Sequence, residues 1–403
     1  MADASGGLRP ALIPIGAMLG TQIMVSLAVL ALGVLMPAIA NDLAIDPKLV
    51  GVFTAVTYAV ASVVALATAD VIARLGAVRV CQLALLAGAA GLAFSAAATL
   101  WACLAAVILI GLAQGPTNPA SAHILSQRVP RRYYSIVFSL KQTGVPVGFG
   151  IAGILLPLLL GWVGWRGAAL IAAAALVAGA VALGLLRSRL DATTAPPGPS
   201  PGIRRSVRFV LGHRQLRVLG WSALIYVIAQ HSFTFFLVTY LYEHCRLTIG
   251  EAGLLLFLAQ MGGTAQRLVL GALGDRLPRL PLLGWTGVAI AAGATGIALI
   301  APDTPYWLIA LAVIAYGVVV ISWNGVSIAE FAHLAPPGQV AAVAAVQTAL
   351  AFSGAVLGPP LFGLIAAASG YSWAFLVVAG FVAAAAFWQL TVARTPGSTR
   401  ADA

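Results

Sequence analysis

The sequence predicts an all-α membrane protein of twelve transmembrane helices in two parallel six-helix repeats. Three observations carry this: composition, the length of the apolar runs, and a pattern that recurs in both halves. Of the 403 residues, 61% are hydrophobic and only 8% are charged, with a mean hydropathy of +1.01. Soluble domains carry about 25% charged residues. So few charges cannot cover a water-facing surface, so most of the surface must meet lipid. A span needs roughly 20 apolar residues to cross about 30 Å of hydrocarbon. Runs of that length lie near 12–40, 49–73, 78–98, 101–127, 133–160, 166–187, 215–242, 250–274, 281–301, 306–332, 339–367 and 372–393. A membrane barrel would show alternating segments of about ten residues instead.

Met1 to Pro10 lacks the basic start and small-residue cleavage site of a signal peptide, so the first span reads as a retained helix. Cys81, Cys103 and Cys245 each lie in or beside an apolar span and suggest no disulfide framework or metal spacing.

The net charge is +11 and the isoelectric point about 10.2. Placing the N-terminus in the cytoplasm puts seventeen of the 22 Lys and Arg on that side, among them Arg74, Arg79, Arg128, Arg204, Arg276 and Arg394. Lys48, Arg166 and Arg246 fall outside. The positive-inside rule therefore predicts both termini in the cytoplasm, in a bacterial inner membrane. The basic balance reads as contact with anionic membrane lipid rather than nucleic acid, because no long polar segment could hold a nucleic-acid domain. The longest polar stretch, 187–214, contains Ala195-Pro196-Pro197-Gly198-Pro199-Ser200-Pro201-Gly202. Proline and glycine at that density make a linker. It separates an expected N-terminal bundle, 1–186, from a C-terminal one, 215–403.

The halves match at offsets of 202 to 208 residues. Gln22 pairs with Gln230, Arg74 with Arg276, Asn118 with Asn324, Gln142-Thr143 with Gln347-Thr348, and Trp165 with Trp373. Six spans per half give both halves the same orientation, the parallel repeat of many secondary transporters.

With these features the chain resembles the major facilitator superfamily over essentially its whole length. Gly271-Ala272-Leu273-Gly274-Asp275-Arg276-Leu277-Pro278-Arg279, between spans 8 and 9, is similar to that family's G-x-x-x-D-R-x-x-R loop. The resemblance implies a gating role for Gly271, Asp275 and Arg276. The matching loop, Asp70 to Arg79, departs from the pattern: Ala73 stands where the acid belongs and Asp70 where the glycine belongs. Asp70, one turn higher, is the expected substitute, beside Arg74. Gly144 to Gly150 in span 5 and Gly354 to Gly363 in span 11 resemble the family's glycine–proline helix motif. Glycines four apart let helices pack closely. A hinge for rocking the halves is compatible with that role.

Charges at membrane depth cost from about 2.5 kcal/mol upward and mark pathways. Lys141 lies nine residues past Arg132, and Arg267 nine residues before Arg276. At about 1.5 Å per residue each sits roughly 13 Å from the cytoplasmic end of its helix. The resemblance implies that spans 5 and 8 face one cavity. Asp70, Asp275 and Glu330 lie nearer the cytoplasmic ends, so no acid matches the two cations in depth. The expected counter-charge is the substrate, a small organic anion, most simply a carboxylate. Each cation also has a structural reading: Arg267 capping a helix-end carbonyl or pairing with Asp275, Lys141 bent toward lipid phosphates. Arg267-Leu268-Val269-Leu270-Gly271 resembles the arginine-to-glycine spacing of monocarboxylate carriers. The oxalate–formate exchanger similarly pairs a helix 8 arginine with a lysine, though that lysine is on helix 11.

Gln22, Asn118, Gln142, Gln230 and Asn324 are expected to orient the anion, with Gln114, Gln260, Gln266, Trp323 and Gln347 as further polar groups; helix-to-helix bonding is an equally open role for each. Tyr58, Tyr226, Phe233 and Phe236 read as core packing or as an aromatic wall. His231 is the candidate proton switch, with His123 behind it. The resemblance implies a monomeric secondary carrier working by alternating access without a cofactor, coupled to protons or exchanging anions. Efflux of drugs or other lipophilic compounds is the alternative. The scattered histidines 123, 213, 231, 244 and 333 form no cluster for a membrane enzyme, and no G-x-x-x-x-G-K-[ST] loop supports a nucleotide-driven pump.

Overall fold

The computed structural model describes residues 11–129, 137, 140–190, 203–274, 276–335 and 340–394. Among them every regular element is helical. The membrane-length helices are α1 (Leu12–Leu43), α2 (Val50–Leu75), α3 (Ala77–Ser95) and α4 (Leu100–Arg128), then one bent helix over Gly144–Leu185. Gly164 divides that helix with φ 70° and ψ 172°. Only glycine adopts such a conformation at little cost. The arms on either side of Gly164 are α5 and α6. The second set is α7 (Arg214–Glu243), α8 (Ile249–Gly274), α9 (Arg279–Ala298), α10 (Tyr306–Ser322, resuming after Trp323 as Asn324–His333), α11 (Val340–Ser369) and α12 (Tyr371–Ala393). Among the described residues eleven helices are long and apolar enough to cross a membrane when the bent one counts once. Its two arms make the twelfth span. The start of the expected fifth span, apart from Val137, lies outside the described residues up to Leu140.

Exposed tryptophans sit near the span ends. Trp101 opens α4, Trp162 closes α5, and Trp307 and Trp373 open α10 and α12. An indole has an apolar body and a polar edge, and so favours the membrane–water boundary.

The chain forms two compact units, Met1–Pro197 with Thr248–Phe257, and Gly198–Leu247 with Leu258–Ala403. In the first, α1, α3, α4 and α6 meet where Ala28, Ala113 and Leu176 close around Gly88. At one end of this unit Asp42 on α1 accepts hydrogen bonds from Trp165 Nε1 (3.1 Å) and Arg166 Nη2 (2.7 Å), both opening α6. In the second unit Glu243, at the end of α7, accepts from the Tyr371 hydroxyl that opens α12. Trp165 and Tyr371 each follow a glycine of positive φ, Gly164 and Gly370. Tyr371 is therefore the structural counterpart of Trp165. This corrects the expected match to Trp373, which is largely exposed. An aromatic donor fills the role, and its identity changed between the repeats.

The second unit's core is polar at one point. The Tyr226 hydroxyl on α7 donates to Gln389 Oε1 on α12 at 2.8 Å and lies 3.2 Å from the Leu283 carbonyl on α9. Tyr226→Phe leaves these buried acceptors without their donor. It is expected to cost about 1–3 kcal/mol, read as a lowered thermal unfolding midpoint of the purified protein. Tyr58, Tyr226, Phe233 and Phe236 are all buried. Phe236 packs on Phe362 at 4.9 Å and Phe233 edge-on to Tyr316 at 4.8 Å. These rings belong to the core.

Candidate functional site

The site in the first unit begins with glycine. A side chain at Gly148 would collide with the carbonyl oxygen of Ile23 and stand 2.8 Å from Ser26 Cβ. At Gly144 it would meet Gln22 Cβ at 3.0 Å. These two positions therefore seat α5 directly on α1. Lys141, one turn before Gly144, is carried against the same stretch of α1.

Lys141 is only 3% exposed, and Gln22 is fully buried. Lys141 Nζ donates to Gln22 Oε1 at 2.6 Å, to Asn118 Oδ1 on α4, and to Gln142 Oε1 at 3.4 Å. Three acceptors around one nitrogen match the three N–H donors of an ammonium. Gln22 Nε2 in turn donates to Ser26 Oγ at 3.2 Å, which aims the Gln22 oxygen at Lys141. Pro116 and Pro119 flank Asn118 within α4. Proline lacks an N–H, so these two leave backbone carbonyls of the preceding turn of α4 without their helical donor. One turn earlier, Gln114 Oε1 is buried without a donor.

The cage satisfies hydrogen bonding but not charge. All three oxygens are neutral amides, and no carboxylate pairs with Lys141 among the described residues. The enclosure keeps a net positive charge, which a buried site holds at a cost unless an anion joins it.

The second unit is built differently. Gly263 on α8 admits α10, since a side chain there would stand 2.6 Å from Ile321 Cβ. Arg267, one turn on, donates from Nη2 to the Ile321 carbonyl at 3.0 Å. That carbonyl lies where α10 breaks at Trp323. A cation at a helix end suits the negative pole of the helix dipole. The helix-end reading of Arg267 thus describes one of its contacts. Among the described residues its Nε has no acceptor, nor has the buried Nε1 of Trp323. Asn324 is half-buried at the point where α10 resumes.

His231 Nδ1 lies 3.2 Å from the Val227 carbonyl of its own helix, and its ring stacks on Phe235 at 5.8 Å. Gln230 Oε1 is buried without a donor. The repeat explains that orphan. At the offset that pairs Gln142 with Gln347, the counterpart of Lys141 is Val346, so Gln230 has no ammonium to meet. Gln347 instead donates to Ser327 Oγ on α10 at 3.1 Å. The structure thus gathers Lys141, Gln22, Asn118 and Gln142 in one place. Arg267, Gln230, His231 and Asn324 belong to the other unit.

Of the expected gating residues, Arg74 and Arg276 are exposed and Gly271 is half-buried. Asp275 and the Asp70 side chain lie outside the described residues. Sequence reading missed the ion pair of Arg279 with Glu330 on α10, at 3.6 Å. A separation of 51 residues leaves no local signal. Ser26 was also missed, although its place one turn from Gln22 was available as a clue. The three cysteines are buried and form no disulfide among the described residues.

Residues 18–353 match the family described as the Major Facilitator Superfamily. The chain belongs to the major facilitator superfamily. Two relatives from Mycobacterium tuberculosis are the uncharacterized MFS-type transporters MT3072 and Rv2994, at 28% and 27% identity over 315 residues. Each alignment covers 75% of this chain and 67% of the relative. Among solved structures, a bacterial homolog of the human lysosomal transporter Spinster, inward-facing and unoccupied, superposes with a TM-score of 0.79 at 17% identity, over 96% of this chain and 98% of that one. A nucleoside transporter gives 0.74 at 18% identity, over 93% and 99%. At such identities the likeness shows the fold. This superfamily member is a multi-pass membrane transporter, not an enzyme.

Proposed function

We propose that this superfamily member is a secondary carrier that moves a small organic anion, most simply a carboxylate, by alternating access. The observation that carries this reading is the buried Lys141 ammonium held by neutral amides alone. A carboxylate oxygen can replace the most distant partner, Gln142 at 3.4 Å. The ammonium then keeps three acceptors and gains its counter-charge. Arg267, with Nε unpaired, is the second proposed contact, supported by its likeness in spacing to monocarboxylate carriers. A charge-assisted hydrogen bond is worth about 1.5–3 kcal/mol, enough to select an anion.

Without an anion, Lys141 keeps its acceptors but not its counter-charge, which is compatible with proton-coupled uptake and with anion exchange alike. We read proton-coupled uptake on the family resemblance, with anion exchange as the second reading. The arginine-rich segments support an inner-membrane orientation with both termini cytoplasmic.

The test is uptake of radiolabelled mono- and dicarboxylates into proteoliposomes, with and without an inward proton gradient and with and without internal anion. Accumulation that follows the gradient and needs no internal anion is the expected result. Arg267→Gln is expected to raise KM about tenfold, while Arg267→Lys, which keeps the charge but loses the planar fork, shows a smaller change. Failure of every carboxylate to move, or wild-type KM in Arg267→Gln together with Lys141→Ala, would overturn the anion site. Lipophilic efflux substrates would then be the next panel.

A further inference from the structure

A groove of about 350 Å³ opens between α2, α3 and α4 of the first unit, within the size range of small ligand pockets. Its walls include Val63, Val71, Leu83, Ala87, Leu112 and Pro116. Val63, Val71, Leu83 and Leu112 are exposed. Thr68 is its one polar lining residue, and its hydroxyl is already bonded to the Val64 carbonyl of its own helix at 2.8 Å. Among the described residues the groove therefore offers a hydrocarbon surface and no free polar partner. It runs toward the turn joining α2 to α3, and that end carries charge. Arg74 lies three residues beyond Val71, and Arg79 four residues before Leu83. Residues three or four apart share a helix face, so both arginines belong to the faces that line the groove. Both are exposed; the side chain of Asp70, expected beside Arg74, lies outside the described residues, and among those described no acid pairs with either arginine.

We propose that this groove binds an anionic phospholipid, its acyl chain between α2, α3 and α4 and its phosphate against Arg74 and Arg79. The occupant follows from the chemistry of the two parts. A fully apolar trough suits an acyl chain, and paired guanidinium groups at its end suit a phosphate. A zwitterionic lipid fills the trough equally well but presents a neutral headgroup to the arginines.

Native mass spectrometry of the full chain, titrated in detergent with phosphatidylglycerol or with phosphatidylcholine of the same chains, tests this without reference to transport. Retention of phosphatidylglycerol is expected to exceed that of phosphatidylcholine by about 5- to 30-fold, the effect of one or two arginines. Arg74→Gln with Arg79→Gln should bring it down to the phosphatidylcholine level. Ala87→Phe, which fills the trough, should lower retention of both lipids. Arg394→Gln, an exposed arginine beyond α12, should change neither. Equal retention of the two lipids by the wild-type chain would overturn the proposal. So would a loss in Arg394→Gln as large as in the double variant, which would mean bulk charge and no site. Should Ala87→Phe not fold, the arginine pair still decides the matter.

Discussion

Lys141→Met is expected to reduce carboxylate uptake into proteoliposomes by about 10- to 100-fold while lowering stability by only about 1–3 kcal/mol. The two readouts move apart for one reason. Lys141 stands almost fully buried among Gln22, Asn118 and Gln142, with no acid among the described residues to balance it. Removing the ammonium relieves a buried charge that no acid balances, which offsets part of the cost of leaving the Gln22, Asn118 and Gln142 oxygens without their donor. Methionine keeps the stem's volume and removes only the ammonium. Gln22 retains its bond to Ser26, so the local fold has a remaining tie. The transported anion loses its charge-assisted contact, worth about 1.5–3 kcal/mol, and each 1.4 kcal/mol is a factor of ten. Lys141→Arg separates charge from geometry. The guanidinium is wider and planar, and a cage shaped for a point donor does not receive it. It should fold less stably than Lys141→Met and still transport poorly. Wild-type uptake by Lys141→Met would remove Lys141 from the substrate path.

Gly148→Leu should do the reverse and lose stability first. Any Cβ at this position meets the Ile23 carbonyl, and backbone cannot rotate away as a side chain can. The α1 and α5 helices must separate. Overpacking costs typically about 1–3 kcal/mol, and a clash with backbone belongs at the upper end. Separation also draws Lys141 away from Gln22, so transport should fall with the unfolding midpoint. Gly354 makes the equivalent contact of α11 with α7, where a side chain would stand 2.6 Å from the Leu224 carbonyl oxygen. Gly354→Leu is therefore the matched control. It should lower the midpoint by a similar amount while leaving the Lys141 cage untouched. Comparing uptake per folded molecule isolates the part of the Gly148→Leu defect that comes from the cage. Gly148→Leu at wild-type stability would mean that α1 and α5 do not pack as described.

Much of the fold was legible because membrane spans are written in one-dimensional terms. Length and apolarity alone mark a helix that must satisfy its own backbone in lipid, and the spans near 12–40 and 372–393 follow from this without any partner. The glycine pairs at Gly144 and Gly148, and at Gly354 and Gly358, were legible as close-packing surfaces. Which helix each would meet was not. Nothing local in the sequence says that Gly148 faces Ile23 rather than a residue of α2 or α3. The buried Lys141 and the half-buried Arg267 were visible as charges in apolar runs, but their surroundings were not. Arg267 reaches a carbonyl 54 residues away, and Lys141 an amide 119 residues away.

The amino-acid sequence by itself determined the membrane class, the twelve spans, the repeat and the presence of Lys141 and Arg267 within apolar runs, because each depends on composition or on spacing along one helix. The tertiary structure alone decided that Lys141 has an amide cage and Arg267 a helix-end carbonyl. It also decided that Tyr371, not Trp373, answers to Trp165. Hydrogen-bond partners across helices depend on which faces are packed together, and that is set by close contacts between residues far apart in the chain.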